Sequence, residues 1–468
     1  MKQLLKLILL TALLPLQAGA QRYQQKLDRA VVVVNRSGSS IRSVTSAAGQ
    51  GNLISWRKLA QEPEGTTYNV YKRAQGASDF TKMNSTPLKV TCYAPSSLTN
   101  NTEYAVTAIS PDGTEGAMSR PFLYNTQAYP NVWFNFDFDN TVISRNDYRT
   151  KFCWPMDIDG NGEYDAVVVD RLFAGSASGE ESDESENTAT TSHKIQAYKL
   201  TGELLWTVDM GPNVNICGGQ NDMVVAYDIN CDGRCEVMVR SSDGTRFWDK
   251  ENETWGKYAM GSAVPDVDGD GIVDYRTQTA RNRPFYISVI DGATGAEIAC
   301  NELKYSEVTD GSDSYTRTSR PRYMSDGYSA MDGHFCICYL DGIHPSLVME
   351  CLDRDADKTH HNYVFTWDYD WSGSTPTNWH HSATWSRNDK RPWPAEFHQL
   401  RVADVNGDGC DEMIQGGYSV NPLKGWFQSP GIGHGDRYIL SDIDPDRPGL
   451  EQYAIQQSAL WVSCCLIL

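Results

Sequence analysis

The sequence has almost no helical periodicity, no apolar run beyond its first 20 residues that could cross a membrane, and little positive charge. Each absence excludes something. Without a 3.6-residue pattern, the body of the chain is not a helical bundle. Without a spanning run, it is not threaded through a bilayer by a helix. With 41 Lys and Arg against 60 Asp and Glu, the formal charge is −19, which disfavours a polyanion such as nucleic acid. The 12 cysteines include no pair of C-x-x-C motifs at zinc spacing, so no zinc ribbon is expected. Cys231 and Cys235 bracket an acidic stretch, and a local disulfide is conceivable there.

The first 20 residues read as an export signal. Lys2 and Lys6 make a positive start, an apolar stretch runs from Leu4 to Leu16, and Ala18-Gly19-Ala20 is a small-residue cleavage site. Gln21 is the expected mature start. No cysteine follows that site, so a lipid-anchored form is not expected. The protein is therefore expected to be secreted, to the periplasm or beyond, and to be a monomer.

Residues 28–125 show short alternating strands at Ala30–Val34, Leu53–Trp56, Tyr68–Lys72 and Glu103–Ile109, divided by turns such as Pro111-Asp112-Gly113. This pattern suggests a small fibronectin-like β-sandwich. From 130 to 456 two motifs recur. One is a hairpin, as in Ile195–Met210 and Phe285–Cys300. The other is an acidic loop running into a strand, with loops beginning at Asp157, Asp228, Asp266, Asp404 and Asp442. The starts are 71, 38, 138 and 38 residues apart, a repeat spacing that favours the blades of a β-propeller. The stretch 175–192 is polar and acidic, and is expected to be an exposed loop.

The acidic loops carry the chemistry. The first four place oxygen donors at fixed offsets: Asp157, Asp159, Asn161, Asp165; Asp228, Asn230, Asp232, Glu236; Asp266, Asp268, Asp270, Asp274; and Asp404, Asn406, Asp408, Glu412. A glycine after the third donor permits the sharp turn. Hard oxygens at such spacing suit Ca2+ rather than zinc, and several ions are expected. The fifth loop, Asp442, Asp444, Asp446 and Glu451, lacks the turn glycine. His398 and His434 each precede an acidic loop, so equivalent strand starts bring them together with Asp436 as a further metal site.

Several runs resemble the secreted rhamnogalacturonan lyases of polysaccharide lyase family 11. They are HQLRVADVNGDGCDEMIQGG, GIGHGDRYILSDIDPDRPGLE, YLDGIHPSLVME, DIDGNGEYDAVV and QAYKLTGELLW, with LDRAVVVV and LISWRKLAQEPEGTTYNVYKR nearer the start. The resemblance covers about Lys26 to Gln456. It implies an all-β chain with a small β-domain before an eight-bladed calcium-binding β-propeller, and cleavage of the rhamnose–galacturonate backbone of pectin by β-elimination. It also implies a metal at His398 and His434 near a central cleft. Asp170, Arg240 and Arg283 are the candidate catalytic residues, and Arg281, His360 and His361 are further basic candidates. Asp170 stands one place out of register with the family's cleft-facing acid, which would turn it to the other face of its strand. Lys151 stands where the family has Asn. After Gln457 the resemblance stops in an apolar tail, 457–468, and too few strands remain for eight blades, so an incomplete propeller is expected. The rival expectation is a carbohydrate-binding or adhesive propeller without catalysis, which the 13 Trp and 24 Tyr would equally serve.

Overall fold

The computed structural model of the chain describes residues 22–23, 25–35, 51–59, 62–125, 137–142, 147–173, 192–211, 223–241, 244–249, 254–258, 284–304, 332–354, 360–371, 375–389, 396–444, 446–455 and 463–467. Every regular element among them is a β-strand. The chain divides into two compact units, Gln25–Ser329 and a second made of Met1–Gln24 with Ala330–Leu468.

The first unit opens with a β-sandwich. A three-stranded sheet (Val32–Asn35, Asn52–Ser55, Cys92–Tyr93) faces a four-stranded one (Thr81–Lys82, Thr67–Ala74, Thr102–Ile109, Phe122–Tyr124). Alternation puts Val33, Ile54 and Trp56 opposite Tyr68, Val70, Tyr104 and Val106 in one core. A buried ion pair closes its rim. The Arg29 guanidinium meets Glu62, which also accepts the Tyr68 hydroxyl at 2.8 Å.

Beyond the sandwich lie antiparallel sheets, the first two of which interleave along the chain, since Leu204–Asp209 pairs Arg246–Asp249 and Glu236–Ser241 pairs Pro284–Asp291. In the first, Ala166–Phe173 is flanked by Cys153–Met156 and Tyr148–Arg149 on one side and by Lys194–Lys199, Leu204–Asp209, Arg246–Asp249 and Thr254–Tyr258 on the other. The next is Val224–Tyr227, Glu236–Ser241, Pro284–Asp291 and Glu297–Lys304. Both expected hairpins are present, and the Trp206 indole closes the gap between these two sheets by donating to the Gly292 carbonyl at 2.9 Å. The faces interlock through Met156, Val168, Ile195, Val208, Val237 and Ile290. Each such side chain contributes about 1.5–3 kcal/mol by leaving water.

The second unit has three sheets of the same kind. They are Asp332–Cys338, Ser346–Arg354, His360–Trp371 and Pro376–Asp389; then Glu396–Ala403, Glu412–Gly416, Ser419–Asn421 and Trp426–Gln428; then Tyr438–Ser441, Glu451–Ile455 and Ser463–Ile467. Cys338, Val348 and Val364 pack on Met413, Tyr418 and Val420, and Phe397 and Ile414 pack on Tyr438 and Ala454. Within the apolar tail set apart in the sequence, Ser463–Ile467 pairs along Glu451–Ile455. Cys231 and Cys235 are not joined in a disulfide.

Candidate metal centre

Each acidic loop that the structure describes joins two strands that pair antiparallel with each other. The local fold follows from the leading aspartate. Asp157 Oδ1 accepts the N–H groups of Gly160 (2.8 Å) and Asn161 (3.1 Å), and its Oδ2 accepts that of Gly162 (2.7 Å). Asp404 repeats this with Gly407, Asp408 and Gly409. Asp228 takes Asp232 and Gly233. Gly162 has φ +91°, and a Cβ there would lie 2.8 Å from the Lys26 carbonyl, so this turn needs glycine twice over. The closing acid is common to all four described loops: Glu451 accepts the Ile443 N–H as Asp165, Glu236 and Glu412 accept those of Ile158, Ile229 and Val405; in the fifth loop Arg447 also lies 3.1 Å from Asp444. The third loop, Asp266 to Asp274, lies outside the described residues, as do Arg281 and Arg283.

These turns gather like charge. Carboxylate oxygens of Asp157, Asp159 and Asp165 lie within 4.8 Å of one another. Burial, then Asp228 and Asp232, push Glu236 up to about 9. Burial, with Asp408 and Asp404 adding, pushes Glu412 up to about 7. Asp165 is raised by burial and by its two neighbours. Crowded carboxylates on a preformed turn are the donor set that a hard divalent cation fits.

The second cluster joins two strand starts. His398, on Glu396–Ala403, and His434, just before Tyr438–Ser441, meet edge to face with ring centroids 4.9 Å apart. His398 Nε2 is 3.6 Å from Asp436 Oδ1, and one ligand atom from each of the three residues falls within 4.8 Å of the others. Burial lowers the His398 pKa, His434 and Arg437 lower it further, and Asp436 opposes them. A neutral imidazole offers a lone pair to a cation.

Two further sequence candidates lie in the first unit. Asp170 is fully buried and accepts the backbone N–H groups of Phe152 (2.6 Å) and Lys151 (3.0 Å). Arg240 is 1% exposed. His360 and His361 lie on the strand His360–Trp371. One feature figures in the sequence only as part of the run YLDGIHPSLVME, with no role assigned. In the sheet beginning at Asp332–Cys338, the connection that elsewhere is an acidic loop holds Asp341, whose Oδ1 accepts the Ile343 and His344 N–H groups, both at 2.7 Å. Its Oδ2 lies 2.8 Å from His344 Nδ1, and the imidazole stacks on Trp371 at 4.3 Å. The signal available in the sequence was only an Asp-Gly step and a histidine, far less than a row of acids.

A small β-sandwich followed by antiparallel sheets, several bearing crowded acidic turns and two bringing His398 and His434 together, defines an all-β protein. The family described as rhamnogalacturonan lyase family 11, C-terminal domain, matches residues 140–463, and the rhamnogalacturonan I lyase β-sheet domain matches residues 22–122. The chain belongs to rhamnogalacturonan lyase family 11.

It is 29% identical over 462 residues to the rhamnogalacturonan endolyase YesW of Bacillus subtilis, covering 97% of this chain and 65% of that protein. It is 27% identical over 426 residues to the rhamnogalacturonan exolyase YesX of the same organism, covering 88% of this chain and 60% of that one. The chain thus spans just under two thirds of the length of these curated relatives. Among solved structures, the crystal structure of YesW aligns with a TM-score of 0.65 at 25% identity, over 96% of this chain and 68% of that one. The Bacillus licheniformis PL11 rhamnogalacturonan lyase aligns with a TM-score of 0.64 at 25% identity, over the same shares.

Proposed function

We propose that the chain acts as a secreted lyase on rhamnogalacturonan, cleaving its backbone by β-elimination at a divalent-cation site formed by His398, His434 and Asp436. The observation that carries this reading is the convergence of those three side chains in a member of family 11. The antiparallel sheets act as propeller blades, and the acidic turns hold Ca2+ that fixes the start of the strand that follows each turn.

β-Elimination passes the proton alpha to a uronate carboxylate to a basic side chain, forms a carbon–carbon double bond, and releases the oxygen beta to the carboxylate as a hydroxyl once it is protonated. A cation bound at the cluster supplies positive charge for the carboxylate as negative charge develops there. The side chains do the rest. His398 and His434 would hold the ion through imidazole nitrogens, with an Asp436 carboxylate oxygen as the third ligand. Burial of His398 thins the water around it, which strengthens each electrostatic contact. Asp170 spends its carboxylate on two backbone N–H groups, so in this reading it holds the chain at Lys151 in place. Bound cations, not net charge, make the acidic molecule attractive to an anionic polymer.

The test is to incubate the full chain with rhamnogalacturonan and follow the ultraviolet absorbance of the unsaturated ends that elimination creates. Activity that chelator abolishes and calcium restores, and that His398→Ala and His434→Ala each reduce at least 100-fold, is expected. Binding to the polymer without any rise in absorbance would instead identify a carbohydrate-binding protein. Export is checked by sequencing the secreted protein, whose first residue should be Gln21.

A further inference from the structure

The strand that carries His398 does not keep an ordinary ladder with its neighbour. Glu396 pairs with Gly416, but the next pair is Arg401 with Ile414, so the chain bulges in between. His398 sits in that bulge, where no ladder bond to the neighbouring strand fixes its peptide.

One side chain of the neighbouring strand takes the place of the ladder. Gln415 is fully buried, its Oε1 accepts the Phe397 N–H at 2.5 Å, and its Nε2 donates to the Phe397 carbonyl at 2.7 Å. The amide of Gln415 therefore pairs with Phe397 as a backbone unit would. The Phe397 ring is wedged as well. A Cβ on Gly416 would lie 2.3 Å from it and a Cβ on Gly435 2.4 Å from it. Its edge meets Tyr438, at 5.6 Å and 85°, and the Tyr438 hydroxyl donates to the Ile414 carbonyl at 2.6 Å. Gly435, which forms a parallel bridge with Phe397, stands between His434 and Asp436. On the far side of His398, Arg437 Nη1 donates to its carbonyl at 2.7 Å.

We propose that Gln415 is a positioning residue, which through the Phe397 peptide holds His398 against His434 and Asp436. The proposal rests on reading that cluster as a cation site. Gln415 touches neither cation nor substrate. Its amide offers one donor and one acceptor at the spacing of a peptide edge, which is why no residue without both can replace it fully. A neighbour that orients a metal-binding imidazole commonly changes metal affinity 10–100-fold when removed.

The experiment uses the full chain at a fixed calcium concentration, with Co2+ as the probe because imidazole ligates it more readily than it ligates calcium. Visible Co2+ absorption that disappears in His398→Ala and His434→Ala reports the cluster. Gln415→Ala is expected to keep the far-ultraviolet dichroism of the parent and to bind Co2+ about 10–100-fold more weakly. Gln415→Met keeps the length and buried volume but cannot pair with the Phe397 N–H and carbonyl, and is expected to weaken Co2+ binding as the alanine variant does; it carries the test if the alanine variant does not fold. A second readout needs no metal: the 13C resonance of the His398 ring should move in Gln415→Ala as the approach to His434 is lost. Unchanged Co2+ affinity together with an unmoved His398 resonance would overturn the proposal. Should the parent show no histidine-dependent Co2+ signal, the cation reading fails, while the His398 resonance still decides whether Gln415 holds the ring.

Discussion

His193 shows how much a single buried side chain sets. It is fully buried, and burial, with Lys194, Lys151 and Arg149 adding, lowers its pKa from 6.5 to about 3. Between those values the unfolded chain takes up a proton that the folded chain refuses. Its contribution to stability is therefore complete above about pH 6.5 and drains away as the pH falls toward 3. His193→Gln should flatten the fall of the melting temperature between pH 6.5 and 4 relative to the parent, measured by calorimetry. An equally steep fall in the variant would assign that acid sensitivity to other groups. Gly435 is as constrained, since a Cβ would lie 2.0 Å from the Ile455 carbonyl. Gly435→Ala should destabilise by about 1–3 kcal/mol through overpacking, visible as a lowered denaturation midpoint. The aspartates of the turns were legible in the sequence because their chemistry is local, with donor and acceptor two to five residues apart. Gln415 was not legible, because its partner Phe397 lies in the neighbouring strand and no spacing rule links the two.

Among elements, the strand connections hold the most crowded charge. Asp228 organises its turn through Asp232 and Gly233, with Glu236 buried behind it. Asp228→Ala removes the turn acceptor and, on the proposed function, a ligand of the cation. It should lower the calcium-saturated melting temperature by several degrees and shrink the gain that calcium gives, in melts with and without chelator. A variant whose calcium response matches the parent would mean that this turn is held by its hydrogen bonds alone. Hairpins such as Lys194–Lys199 with Leu204–Asp209 were legible from alternation and an intervening Gly202. The strand Ser463–Ile467 was not. An unbroken apolar run has no period of two, so only its pairing with Glu451–Ile455 gives it a place.

At the scale of the molecule, the amino-terminal sandwich has a core of its own, from Val31 to Tyr124. Residues 25–125 expressed alone should unfold in one cooperative transition, indifferent to chelator, because none of the acidic turns lies within them. Failure to fold, or a chelator-sensitive melt, would show that the sandwich depends on the sheets that follow. The all-β character was legible because strands outnumber every other signal in the sequence. The division at Ser329 and Ala330 was not. It reflects which sheets share side chains across their faces, and a linear pattern does not record that.

One turn among these sheets does without the acids. At Asp341 the imidazole of His344, clasped by the carboxylate and lying flat on Trp371, stands where other connections gather carboxylates. In deuterated buffer containing EDTA, the amides of Ile343 and His344 should go on exchanging slowly while those of Gly162, Gly233 and Gly409 become fast. That contrast would give the protein a built-in reference signal for ion loss, read from a single spectrum.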